Sequence, residues 1–193
     1  MTTGPKLDRY IDIRLLPDPE FPATVLMNAL FAKLHRALVT LKTDQIGVSF
    51  PDVENVDRGL GERLRLHGDA QMLQRLMELG WLTGLSDLLK VSTLRQVPAS
   101  AHHRTVRRVQ AKSSPERLRR RWMKRKGLSE EQAREIIPDS AAERLELPYL
   151  TLTSRSTGQR FRLFIEHGPL LTAPVSGWFS SYGLSSKATV PWF

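Results

Sequence analysis

The chain contains no cysteine. That removes a disulfide framework, a thiolate zinc site and a cysteine nucleophile together. Long apolar runs are also missing, and none approaches the roughly 18 residues that a membrane span needs. The first residues, Met1-Thr-Thr-Gly-Pro-Lys-Leu7, lack the apolar core of a signal peptide. A cytoplasmic protein with no membrane partner is expected. The histidines are His35, His67, His102, His103 and His167, with neither HExxH nor HxxxH spacing, so no metal and no cofactor is expected. Acidic side chains are outnumbered most heavily in one stretch. Between 104 and 126 there is a single acid, Glu116, against eleven basic residues, a local charge of +10. The remaining 18 basic and 19 acidic residues leave −1, and the chain totals +9. A charge gathered in one short stretch points to a polyanion held at one place.

Apolar periodicity orders the elements. Ile11, Ile13 and Leu15 alternate with polar neighbours and predict a strand. Val25, Leu26, Ala29, Leu30, Leu34, Ala37, Leu38 and Leu41 recur at three- and four-residue spacing, which predicts an amphipathic helix over Ala23–Leu41. Ile46, Val48 and Phe50 form a second strand, and Leu64 and Leu66 a third. Asp69 caps a helix through Met72, Leu73, Leu76 and Met77, with Gly80 just past its end. Weaker signals over 91–97 allow a fourth strand. The order βαββαβ is the ferredoxin-like arrangement, a frequent RNA-binding platform that does not fix function. The expected class is α+β: a ferredoxin-like domain over 1–99 and a divergent second α+β domain over 100–193.

The second half opens with a strand over 105–112. Ser113-Ser-Pro-Glu116 then starts an arginine-rich helix over about 115–126, closed by Gly127. Ser129-Glu-Glu-Gln132 is a capping box for a further short helix. Residues 149–153 and 159–165 read as two strands joined through Ser154-Arg-Ser-Thr-Gly158, and the aromatic tail packs as additional strands. On the basic helix Arg117, Arg121, Lys124 and Arg125 fall at i, i+4, i+7 and i+8, with Arg120 bordering them. Like charges at that spacing destabilise a helix, so phosphate is the expected partner, and arginine's fork suits it. In the preceding strand Arg108 and Gln110 are two apart and share a face. Arginine can pair with guanine O6 and N7, glutamine with adenine N6 and N7. Lys112 adds a further cation to this RNA-binding set.

Arg108-Val-Gln-Ala-Lys-Ser-Ser-Pro-Glu-Arg-Leu-Arg-Arg-Arg121 resembles the CRISPR repeat-processing endoribonuclease of type I-F systems. The likeness extends through Tyr10-Ile-Asp-Ile-Arg14, Lys33-Leu-His35, Ile46-Gly-Val-Ser-Phe-Pro51, Ser154-Arg-Ser-Thr-Gly-Gln159, Phe161-Arg-Leu-Phe164, Tyr182-Gly-Leu-Ser185 and Val190-Pro-Trp-Phe193. It implies a metal-independent RNase of the prokaryotic cytoplasm that cuts precursor CRISPR RNA at the base of each repeat hairpin. Such an enzyme stays bound to the processed crRNA and joins the other subunits of the type I-F surveillance complex; when free it is expected to be a monomer. By position His35 matches the catalytic histidine, Ser154 the catalytic serine and Tyr182 the tyrosine that orients the histidine. Arg108 and Gln110 match the base-reading pair, and Arg120, Arg121, Lys124 and Arg125 the helix along the hairpin phosphates. Phe161 matches the aromatic that stacks beneath the stem, while Ser156 and Thr157 match hydroxyls lining the site. Lys124 replaces an arginine, Ser114 an asparagine, and Arg155 and Arg160 are added positives.

Taken without that resemblance, these residues stay ambiguous. His35 sits mid-helix, Ser154 opens a good hairpin turn, and Tyr182 and Phe161 default to core. A non-catalytic structured-RNA-binding protein is the competing reading, since charge alone does not separate binding from cutting.

Overall fold

The computed structural model describes residues 4–55, 59–110, 115–137, 145–154 and 157–193. They form an α+β protein with two antiparallel sheets and four helices. In chain order the elements are β1 (Arg9–Leu15), α1 (Ala23–Leu41), β2 (Gly47–Ser49), β3 (Arg63–Gly68), α2 (Ala70–Glu78), β4 (Leu89–Val91), β5 (Arg95–Gln96) and β6 (His102–Val109). There follow α3 (Pro115–Lys126), α4 (Glu130–Ile136), β7 (Tyr149–Thr153), β8 (Arg160–His167) and β9 (Thr189–Trp192). The first sheet runs β2-β3-β1-β4, with β5 also on β1; the second runs β7-β8-β6-β9. Two compact units result: Met1–Arg108 with Pro148–Phe193, which holds both sheets, and Val109–Leu147, which holds α3 and α4. Among the described residues no helix is long and apolar enough to cross a membrane.

The first sheet turns one face to the helices. Ile11 pairs with Leu66 and Ile13 with Leu64 across β1 and β3, and period-2 alternation puts all four on the same side. Leu26, Met27, Leu30, Phe31, Leu34 and Leu38 of α1 and Leu73 and Leu76 of α2 join them in the core. Val106, Leu150, Leu152, Leu163 and Ile165 extend the same core into the second sheet. The buried face of α1 includes Leu26, Leu30, Leu34, Ala37 and Leu38 as expected, but it is widened on one side. Val25 is 48% exposed, while Met27 and Phe31 are buried. Val25-Leu26-Met27 and Leu30-Phe31 are apolar on adjacent residues, so periodicity does not choose between them. What chooses is β7, whose Thr151 N–H donates to the Asn28 side-chain oxygen at 2.9 Å.

Other local expectations meet specific physical causes. Asp69 caps α2, accepting from the Met72 N–H at 2.8 Å. The strand expected over 91–97 is broken into β4 and β5, because Ser92 takes both backbone groups of Asp12. Its Oγ accepts from the Asp12 N–H at 2.9 Å, and its own N–H donates to the Asp12 carbonyl at 2.8 Å. The strand expected over 105–112 begins earlier and ends at Val109. In the tail β9 forms, but Trp178 stays 44% exposed. In the second unit the capping box is present, with Gln132 N–H donating to Ser129 Oγ at 3.2 Å and Ser129 N–H to Gln132 Oε1 at 3.0 Å.

Two histidines are folded in as neutral groups. His67 is fully buried on β3, 2.8 Å from Ser49 Oγ, and burial, with Arg65 and His103 nearby, holds it well below the usual imidazole range. Burial lowers His167 to about 4, with Arg104 adding to the effect. An unfolded chain takes up these protons from about pH 6.5 downward; the folded chain resists. The stability they carry is therefore full above about pH 6.5 and lost as pH falls toward 4, by at most about 1.4 kcal/mol per pH unit for each group. Thermal melts should show Tm falling between pH 7 and pH 5, and a flat Tm there would place a charged imidazole in the core.

Candidate active site

His35 lies on α1, one turn beyond Phe31. Its Nδ1 is 2.8 Å from the Ser181 carbonyl oxygen. A carbonyl only accepts, so Nδ1 carries the proton and donates; the neutral ring then keeps its free lone pair on Nε2. The ring lies flat on Tyr182, with centroids 4.0 Å apart and planes 5° apart. Fully buried Phe31 also neighbours Tyr182, with ring centroids 6.3 Å apart and planes 8° apart. Phe31 and His35 are four apart on one helix face, and both rings lie nearly parallel to that of Tyr182. Position and tautomer of His35 are thus set by a helix and a turn distant from it in sequence.

Arg108 continues the site. It sits near the end of β6, exposed, with its guanidinium 5.9 Å from the Tyr182 ring centre and 5.8 Å from that of Phe161, within cation–π range. Phe161 is half-buried on β8, opposite Leu152. Ser154 follows β7 on the same hairpin. Its N–H donates to the Gln159 carbonyl at 2.9 Å, its carbonyl accepts from Gly158 at 2.8 Å, and its Oγ accepts from the Thr157 N–H at 3.4 Å. Gly158 has φ +67°, a conformation this turn requires of glycine. Thr157 is exposed; Ser156, with Arg155, lies outside the described residues. Ring contacts therefore bring His35, Tyr182, Arg108 and Phe161 together, while hairpin geometry places Ser154 and Thr157.

The second unit carries the arginine-rich helix. Arg120, Arg121, Lys124 and Arg125 are exposed and have no ion pair among the described residues. Arg121, Lys124 and Arg125 line a shallow groove. Arg117 lies in α3, its side chain outside the description, and Lys112 lies outside the described residues. Gln110 is exposed just past the end of β6. Not every cation of the 104–126 stretch is available to a polyanion. Arg104 pairs with Glu54 at 2.7 Å and donates to the Gly168 carbonyl at 2.9 Å; Arg107 pairs with Glu166 at 2.8 Å. Arg119 is buried and donates to the Ile137 carbonyl at 2.7 Å, and Lys126 lies over Trp122 at 4.2 Å. Among the described residues no three His, Asp or Glu side chains gather as a metal ion would require.

Residues 10–193 match the model of the family described as CRISPR-associated protein (Cas_Csy4). The chain belongs to this family. The resemblance drawn from its motifs is thereby shown. A relative from Pseudomonas aeruginosa (strain UCBPP-PA14), named CRISPR-associated endonuclease Cas6/Csy4, is 56% identical over 187 residues, 97% of this chain and 100% of that one. A protein of the same name from Escherichia coli (strain UTI89 / UPEC) is 52% identical over the same extent. A solved structure described as "An RAMP protein binding different RNA substrates" covers 97% of this chain and 100% of its own at 10% identity, with a TM-score of 0.34; so slight a likeness says nothing further of this chain. Sequence reasoning missed two contributors to the site: the Ser181 carbonyl and Phe31. Only the i, i+4 spacing of Phe31 and His35 was there to be found, since a main-chain carbonyl leaves no signature in side-chain chemistry.

Proposed function

We propose that this protein is a metal-independent endoribonuclease that binds the CRISPR repeat stem-loop and cuts precursor CRISPR RNA at the base of the hairpin. The observation that carries it is the His35 imidazole, pinned through Nδ1 and by stacking, with Nε2 left as the proton acceptor. Scission without metal uses the RNA's own 2′-hydroxyl as nucleophile. It needs a base for that proton, a group that holds the hydroxyl in line, and positive charge near the phosphate. His35 takes the proton, Ser154 holds the hydroxyl, and Tyr182 orients the imidazole. The products are a 2′,3′-cyclic phosphate and a 5′-hydroxyl.

Recognition divides between the two units. Arg120, Arg121, Lys124 and Arg125, with Arg117, grip hairpin phosphates. Arg108 and Gln110 read bases, Phe161 stacks beneath the stem, and Ser156, Thr157 and Lys112 contact the strand. The A-form major groove is too deep and narrow for ordinary readout, so the pair must work near the end of the stem, where the groove opens. The enzyme keeps its cleaved RNA and joins the other subunits of the type I-F surveillance complex. The element order and the strand order β2-β3-β1-β4 support a ferredoxin-like arrangement for the first sheet and its helices.

Incubation with the cognate repeat RNA in excess EDTA tests this. Cutting should persist. Bound but intact RNA, with and without chelator, would leave a binding module; cutting lost only on chelation would restore a metal mechanism.

A further inference from the structure

Taking His35 as the base, we propose that Gly183 and the edge strand β2 are its positioning elements, holding the turn that fixes the imidazole tautomer. The turn is tightly made. Ser180 N–H donates to the Leu184 carbonyl at 2.9 Å, Gly183 N–H to the Ser180 carbonyl at 2.8 Å, and Tyr182 N–H to Ser180 Oγ at 3.3 Å. Between these bonds sit the two groups that touch His35, the Ser181 carbonyl and the Tyr182 ring. At its two ends the turn is tied to the body of the protein by the Phe179 N–H, which donates to the Asp44 carbonyl at 2.9 Å, and by the Ser185 N–H, which donates to the Val106 carbonyl at 2.9 Å. Between them it is held once more. β2 is an edge strand, and its outward Val48 N–H donates to the Gly183 carbonyl at 2.9 Å. Edge donors of this kind are normally satisfied by solvent or a covering loop; here the cover is the turn that serves the base.

Gly183 is required twice over. Its φ is +70°, in the left-handed region that other residues seldom adopt. A Cβ built there would also lie 2.6 Å from Val48 Cγ1 and 3.3 Å from the Ile46 carbonyl oxygen. Val48 is fully buried, so it has little room to yield, and the turn must move instead. Movement withdraws the Ser181 carbonyl and tilts Tyr182, while His35 stays fixed on α1 through the buried Phe31 and Leu34 beside it. With Nδ1 no longer claimed by a carbonyl, the proton is free to sit on Nε2, the atom that must accept.

The first measurement uses the unaltered protein. Its ¹⁵N-edited NMR spectrum should show neutral His35 as the Nδ1–H tautomer; an Nε2–H tautomer would overturn the proposal, whether or not His35 proves catalytic. Gly183→Ala should then lower the single-turnover cleavage rate by about 10²-fold and populate the Nε2–H form, with RNA affinity unchanged. The double variant V48A/G183A removes the obstructing methyl and should recover part of the lost rate over G183A alone. Wild-type cleavage by G183A with an unchanged tautomer would overturn the proposal. So would a loss of RNA affinity matching the loss of rate, since the turn would then be holding RNA. If G183A fails to fold, the wild-type tautomer still decides. Intact cleavage by H35A would instead defeat the reading of His35 as base and leave the tautomer result standing.

Discussion

His35→Ala is expected to reduce cleavage by about 10²–10⁴-fold, the range a positioned general base supplies, with RNA affinity changed by less than about threefold, or under 1 kcal/mol. The split follows from geometry. His35 spends its ring face on Tyr182 and its Nδ1 on Ser181, so the only polar group it offers a ligand is one nitrogen. That nitrogen contributes little to holding an RNA whose phosphates meet a cationic helix, and much to moving one proton. Measured single-turnover rates and Kd should separate cleanly. A tenfold or greater loss of affinity would make His35 a binding residue.

The opposite split is expected on α3. Neutralising Arg120, Arg121, Lys124 and Arg125 together to glutamine should weaken RNA binding by about 10²–10³-fold near physiological salt, while the cleavage rate of saturated complexes changes little. These four cations are exposed and without an ion pair among the described residues. Each that meets a phosphate displaces a counterion, so the salt dependence of log K should flatten by roughly one unit for every phosphate-binding cation removed. Arg121→Gln alone should flatten it by about one. By contrast, Arg107→Gln should scarcely alter the slope, because Arg107 is already paired with Glu166. An unchanged slope in the quadruple variant would place the helix away from phosphate.

Local signals were legible where short-range chemistry decides the conformation. The bounds of α1, the Asp69 cap, the Ser129 capping box and the β7–β8 hairpin could all be read from residue type and spacing. Signals failed where tertiary packing decides. Val25 and Met27 are equally apolar, and only packing against β7 and the sheet determines which is buried. Ser92 interrupts a strand by bonding to Asp12, eighty residues away. Charge counting treated Arg104, Arg107 and Arg119 like their neighbours, yet each answers to a carboxylate or carbonyl within its own unit. For the site, family motifs marked His35, Ser154 and Tyr182, and residue type and periodicity alone would have left all three in ordinary structural roles. The turn that aims His35 was invisible, because it touches the ring through a backbone carbonyl and its key residue has no side chain.

The central claim is that the RNA's own 2′-hydroxyl attacks, with His35 taking its proton. The most direct measurement uses a repeat RNA carrying a single 2′-deoxy sugar immediately before the scissile phosphate. Wild-type protein should bind this RNA as tightly as the all-ribose hairpin and leave it intact. Cleavage of the deoxy-substituted RNA at the same phosphate would contradict the account, because no nucleophile of the proposed kind would remain.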